Sequence, residues 1–239
     1  MKKEIMIFLF WIFGGYVVQA QTPAQIASRC AQAVGGRAAW QNVEFVQYAG
    51  NMRIDEKKYP IKFYQKMPNL YRLEATVEDN VIVEAFDGKR AWDINPFGLY
   101  GEKAHLKTKI ESAEAAEQNM QTDLMDYKKK GSQLFLLDTI NYNGLQVFYL
   151  KLIKNNENEV LYFIDRATYL PVMAKLVINS GIAAGAAVEM HYADYRQIGD
   201  VVLPFSIKMV ANDVVLQELT YSKAELGVRV NPAIFDYIE

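Results

Sequence analysis

The chain has 239 residues, 51% of them hydrophobic, and carries 26 lysines and arginines against 28 aspartates and glutamates. That is enough apolar length to bury one sizeable core, so a single domain is the default, and the near balance of charge excludes a nucleic-acid footprint or a polybasic membrane-binding surface. A lone cysteine, Cys30, excludes an internal disulfide framework.

Residues 1–20 read as a cleaved secretory signal: "MKKE" is a basic start, "IMIFLFWIFGGYVV" an apolar run and "VQA" a small-residue exit, with cleavage expected after Ala20. The rival reading, a membrane anchor, needs about 20 apolar residues, and the run is shorter. Residues 21–239 are then expected to form one secreted domain. Cys30 is preceded by "ASR" and lies well beyond the signal, so it is not a lipid-attachment cysteine. Its spacing from Ile26, Ala27, Ala33 and Val34 places it on an apolar helical face as a buried structural thiol.

"TPAQIASRCAQAVGG" predicts a short amphipathic helix, with Thr22 as N-cap, Pro23 in the first turn and Gly35-Gly36 as the stop. Five β-rich runs follow before residue 96: "VEFVQYAGNMRI", "KYPIKFYQK", "NLYRLEATV", "NVIVEAFD" and "KRAWDI", separated by short turns as in an antiparallel meander. A long polar helix is predicted from about Glu102 to Lys130. Ile110, Ala113, Ala116, Glu117, Met120, Leu124 and Tyr127 follow three-and-four spacing, Gly131 ends the run, and Lys128 to Lys130 suit a helix C-terminus. "NPFGLYG" makes the approach to it. From Leu137 about six more strands are predicted, with Asn143-Gly144 as a strong hairpin signal. "SGIAAGAA", Ser180 to Ala187, reads as a loop between two of them. The total near eleven implies one large curved antiparallel sheet.

Alternation assigns the strand faces. Val201, Leu203, Phe205, Ile207 and Met209 share one side; Val188, Met190 and Tyr192 oppose Glu189 and His191; Phe148, Leu150 and Leu152 oppose Tyr149 and Lys151; Tyr59, Ile61 and Phe63 oppose Lys58, Pro60 and Lys62. Such a surface is either a packed core or a concave pocket for an apolar ligand, and pattern alone favours the core. In "FDGKRAWDINPFG", Asp87-Gly88 is a hairpin turn, Lys89 and Arg90 are rim charges, and Trp92 and Ile94 are expected to face inward.

Catalysis finds no support in the motifs. His105 and His191 are far apart in sequence, Cys30 has no evident base, and no G-x-S-x-G, H-E-x-x-H, P-loop or G-x-G-x-x-G occurs. No enzyme activity, cofactor or metal is expected, and His191 reads as an exposed strand residue beside Glu189.

The series "QKMPNLYRLE", "FDGKRAWDINPFG", "YFIDRATYLPV", "YRQIGDVVLPFSI" and "VNPAIFDYI" resembles the outer-membrane lipoprotein-sorting proteins, the LolA/LolB-like carriers of Bacteroidetes-type bacteria. The resemblance implies a mainly β (α+β) fold: an unclosed antiparallel half-barrel of about eleven strands with helices covering its concave, apolar face. It also implies a monomeric periplasmic carrier that binds acyl chains of lipoproteins or lipids and shuttles them from an inner-membrane exporter to an outer-membrane acceptor. The alternative is an envelope sensor or interaction module on the same fold. The cavity lining expected on this basis is Tyr59, Ile61, Phe63, Tyr71, Leu73, Trp92, Ile94, Phe97, Phe148, Leu150, Met190, Tyr192, Leu203, Phe205 and Ile207. Arg53 and Arg72 lie on predicted strands and read as solvent-facing.

Overall fold

A computed structural model of the chain describes residues 21–54, 56–179 and 184–238. The expected signal segment and residues 180–183 of the expected 180–187 loop lie outside the described residues. The first helix, α1 (Pro23–Ala33), starts where the sequence predicts: Gln25 N–H donates to Thr22 Oγ1 at 3.3 Å, and Thr22 N–H donates back to the Gln25 side chain at 2.8 Å. A second short helix, α2 (Gly36–Gln41), follows through Gly35, which has φ 112° and leaves no room for a Cβ, since one would sit 2.4 Å from the Asp200 carbonyl oxygen.

The strands are β1 (Phe45–Ile54), β2 (Lys57–Lys66), β3 (Leu70–Val77), β4 (Asn80–Phe86), β5 (Ala91–Asn95) and β6 (Gly101–Leu106), then β7 (Gln133–Tyr142), β8 (Leu145–Ile153), β9 (Glu159–Asp165), β10 (Pro171–Val177), β11 (Ala187–Ile198), β12 (Val201–Ala211) and β13 (Val214–Leu226). Two-residue turns at Glu78-Asp79, Asn143-Gly144 and Asn212-Asp213 have both central residues at positive φ, the backbone that matches the twist of a tight hairpin. All pairings are antiparallel, in the order β6-β5-β4-β3-β2-β1-β13-β12-β11-β10-β9-β8-β7. The sheet is open, an unclosed half-barrel of thirteen strands among the described residues, against the eleven expected.

The largest departure from the sequence pattern is the predicted helix over 102–130. Its start is instead β6, which pairs with β5 through Trp92↔Leu106 and Asp93↔His105. Only Lys109–Ala116 is helical (α3), capped by Thr108 and Glu111; the rest is a run of turns. Helical spacing is a weak prior, and tertiary geometry overrides it here. Because β6 and β7 are opposite edges of the sheet, residues 107–132 must cross from one edge to the other. The apolar residues of the stripe are spent one at a time along the route: Ala115 against Tyr71, Phe86 and Ala91; Met120 and Met125 against the cluster of β1, β12 and β13; Leu124 and Tyr127 against α1 and β8.

Burial follows the same division. α1 lays Ile26, Ala27 and Cys30 on Phe148, Leu150, Leu152 and Ile164. Burial pushes the Cys30 thiol up to about 12, so it is an inert core group. The other face of β3–β5 is covered by the C-terminal segment, whose 3-10 turn Pro232–Phe235 receives a hydrogen bond from Trp92 Nε1 to the Phe235 carbonyl at 2.9 Å.

The two arms, β1–β6 and β7–β13, are joined by the β1·β13 pairing. At a bulge in it, a Cβ on Gly50 would lie 2.2 Å from the Thr220 carbonyl oxygen and 2.7 Å from Tyr221 Cα, both backbone atoms. Gly50→Ala is therefore expected to destabilise the fold by about 1–3 kcal/mol, the range for overpacking, measured as a lower urea midpoint.

Candidate functional site

Between the arms and beneath the crossover lies a hollow of about 420 Å³. Cross-strand register builds its wall, because directly paired residues share a face. Tyr48 pairs with Phe63 and Phe63 with Leu73 on one arm; Tyr162, Ala174, Met190 and Met209 form one row across the other, and Tyr192, Ile207 and Leu219 the next. The crossover closes the remaining side with residues 117–123.

Of the lining expected from sequence, the structure brings Phe63, Tyr71, Leu73, Met190, Tyr192, Leu203 and Ile207 together around the hollow. The others lie elsewhere. Ile61 is buried in the core beside it and Tyr59 sits further along the same face of β2. Phe148 and Leu150 are roofed by α1 and so packed rather than open. Phe205 is buried, with the Arg196 guanidinium 4.3 Å from its ring centroid. Trp92 and Ile94 are on the opposite face from the one expected, with Val83, Ala85 and Tyr237, because the Asp87–Arg90 turn puts Ala91 rather than Trp92 in register with Phe86 on the hollow's side. Phe97 is 54% exposed at the β5–β6 turn, held there by Asn95.

Sequence reasoning missed Tyr48, Tyr162, Tyr195, Tyr221, Trp40 and the crossover residues, all of which line the hollow. Alternation with Val46 and with Leu219 carried the signal for Tyr48 and Tyr221. Nothing local announces that residues 117–123 come to rest there. Arg53 is solvent-facing and ion-paired with Glu218, as expected, but Arg72 is half-buried on the outer face, 5.5 Å over Trp92 and donating to the Ile234 carbonyl at 3.0 Å. His191 is half-buried between Glu189 and the Tyr142 hydroxyl. His105 stacks on Tyr100 at 3.8 Å on the far arm.

The charged residues lining the hollow are all acids: Glu84, Glu117 and Asp123. Glu117 and Asp123 share Lys154, whose ammonium contacts both carboxylates, and Asp123 also has the Lys130 ammonium at 4.0 Å. Glu117 also accepts from Asn156 Nδ2 at 2.7 Å and Asn158 Nδ2 at 2.9 Å. One residue earlier, the Ala116 carbonyl accepts from Asn69 Nδ2 at 3.0 Å, on the β2–β3 turn. The crossover is thus pinned to one arm by Asn69 and to the other by Lys154 and its asparagines.

An open antiparallel sheet roofed by helices and a crossover over an apolar hollow is a LolA-like fold. The chain is similar to a LolA superfamily protein of Nitrosomonas europaea, with 15% identity over 91% of this chain and 98% of that one and a TM-score of 0.56. It is similar at TM-score 0.57 to an outer membrane lipoprotein-sorting protein domain of Vibrio parahaemolyticus, with 13% identity over 90% of this chain and 96% of that one. A DUF1329 family protein of Desulfovibrio piger matches at TM-score 0.57 and 10% identity, over 91% and 98% of the two chains. No family model and no curated protein matches the sequence. Among the described residues, no helix is long and apolar enough to cross a membrane.

Removing the Glu117 carboxylate leaves Lys154 only Asp123, and Glu117→Ala is expected to cost about 1–3 kcal/mol, the range for charge-assisted hydrogen bonds. Faster amide exchange confined to residues 107–132 is the readout. Burial works to lower the Lys154 ammonium, but Asp123 and Glu117 outweigh it and hold it above its ordinary value. With the carboxylates ionised, the pinning is accordingly complete up to about pH 10.4, the usual lysine value, and lost as pH rises through the elevated one; in Glu117→Ala, where Asp123 alone faces Lys154, that alkaline step should move to lower pH.

Proposed function

We propose that this protein binds acyl chains of lipoproteins or lipids in the hollow and carries them through the periplasm towards the outer membrane, without catalysing a reaction. The observation that carries the reading is the hollow: apolar walls enclosing about 420 Å³, a size typical of small-molecule sites, under a roof attached at identifiable points. The similarity in fold to an outer membrane lipoprotein-sorting domain supports it.

Apolar burial supplies the affinity. Each methylene withdrawn from water contributes about 0.8 kcal/mol, so a chain can be held without a charged anchor. Entry and release need the crossover to move, and an exporter or acceptor shifts that equilibrium only through its own differential affinity for the open and closed states.

Affinity for a homologous series of monoacylglycerols should rise about four-fold per added methylene until the hollow is full, then level off, as read by displacement of a fluorescent fatty acyl probe. Ile207→Trp, which fills the wall, should weaken the longest tight binder at least ten-fold and shorten the length at which affinity levels off. A flat series in the wild-type protein would remove the acyl-binding reading. Incubation with membranes carrying radiolabelled lipoprotein separates transport from recognition: a carrier extracts the lipoprotein and yields it to acceptor membranes, whereas an envelope sensor binds it without delivery.

A further inference from the structure

Apolar contact explains how a chain is held but leaves one group in the hollow without a role. Tyr221, on β13, is 2% exposed and lines the hollow, yet its buried hydroxyl has no hydrogen-bond partner among the described residues. Buried polar groups are nearly always paired, and an unpaired one lowers stability. Packing does not require this hydroxyl. The Tyr221 ring stacks with Tyr48 at 4.4 Å and with Phe63 at 6.4 Å, and Phe63 fills its place in the same stack with no polar atom.

Tyr48 is 5% exposed, lines the hollow and carries the ring stacked on Tyr221. Burial raises both phenols well above their ordinary value, so both keep their protons and can donate. The charged groups of the wall, Glu84, Glu117 and Asp123, are all acids, so the wall offers no cation to an anionic head group. A neutral acceptor needs no counter-ion there, and it meets two phenols whose rings stack 4.4 Å apart.

Resting on the acyl-binding reading above, we propose that Tyr221 and Tyr48 are the polar anchor of the hollow and hydrogen-bond the carbonyl oxygen of an acyl linkage, ester or amide, so that the site recognises an acylated head rather than a bare hydrocarbon. Met120, a flexible crossover side chain that lines the same hollow, can give way as the carbonyl enters.

The test compares monopalmitoylglycerol with its ether-linked counterpart, which keeps chain length and glycerol but lacks the carbonyl. The wild-type protein should bind the ester about ten-fold more tightly than the ether. Tyr221→Phe combined with Tyr48→Phe should bind both ligands as the wild type binds the ether. Ligand-free Tyr221→Phe should unfold at an equal or higher urea concentration, because it loses an unpaired buried hydroxyl; this also reports that the variant is folded. Equal wild-type affinity for ester and ether, or equal weakening of both in the double variant, overturns the anchor and leaves acyl binding standing. Failure of the wild type to bind either ligand overturns the acyl-binding reading and the anchor with it.

Discussion

The pairing of the first strand with the last is the constraint from which the architecture follows. With β1 joined to β13 at the centre, the two meanders run outward in opposite directions, and the consecutive strands β6 and β7 end at opposite edges. The link between them must span the sheet. It takes the concave side, where Ala115, Met120, Leu124 and Met125 can be buried, and becomes the roof of a hollow. Gly50 belongs to the same constraint, since the close approach of β1 to β13 at Tyr221 leaves no space for a side chain.

Two unequal forces then govern the roof. The attachment at Ala116 and Glu117 consists of a few hydrogen bonds and one ion-pair cluster, each contributing about 1–3 kcal/mol at most. Burial of an acyl chain of a dozen methylenes would contribute about 10 kcal/mol before ordering costs. On the acyl-binding reading a cargo therefore exceeds any single attachment, and in its absence the attachments together keep the apolar wall shielded from water. α1 stands apart from this exchange. Ile26, Ala27 and Cys30 are fully packed on the second arm, so it serves as fixed cover.

Much of the lining was legible from alternation, because a period of two puts a residue on one face or the other with no knowledge of the partner strand. It worked where a strand is regular through its length, as for Phe63, Tyr71, Leu73, Met190 and Ile207. It failed for Trp92 and Ile94, where the turn at Asp87–Arg90 decides which parity faces the hollow, and a single residue inverts the strand. Phe148 and Leu150 fail differently. Their face is as expected, but whether an apolar face is open or covered depends on where α1 docks.

By itself the sequence determined the mainly β class, the first helix with its Thr22 cap, the hairpin at Asn143-Gly144, the buried character of Cys30 and most strand faces. These are local properties, set by turn chemistry, capping and periodicity. Tertiary structure decided the fate of residues 102–130, the identity of the roof and the meeting of Tyr48 with Tyr221 across the seam. Those outcomes depend on which edges the connected strands occupy and on backbone contacts between opposite ends of the chain, neither of which a local pattern encodes.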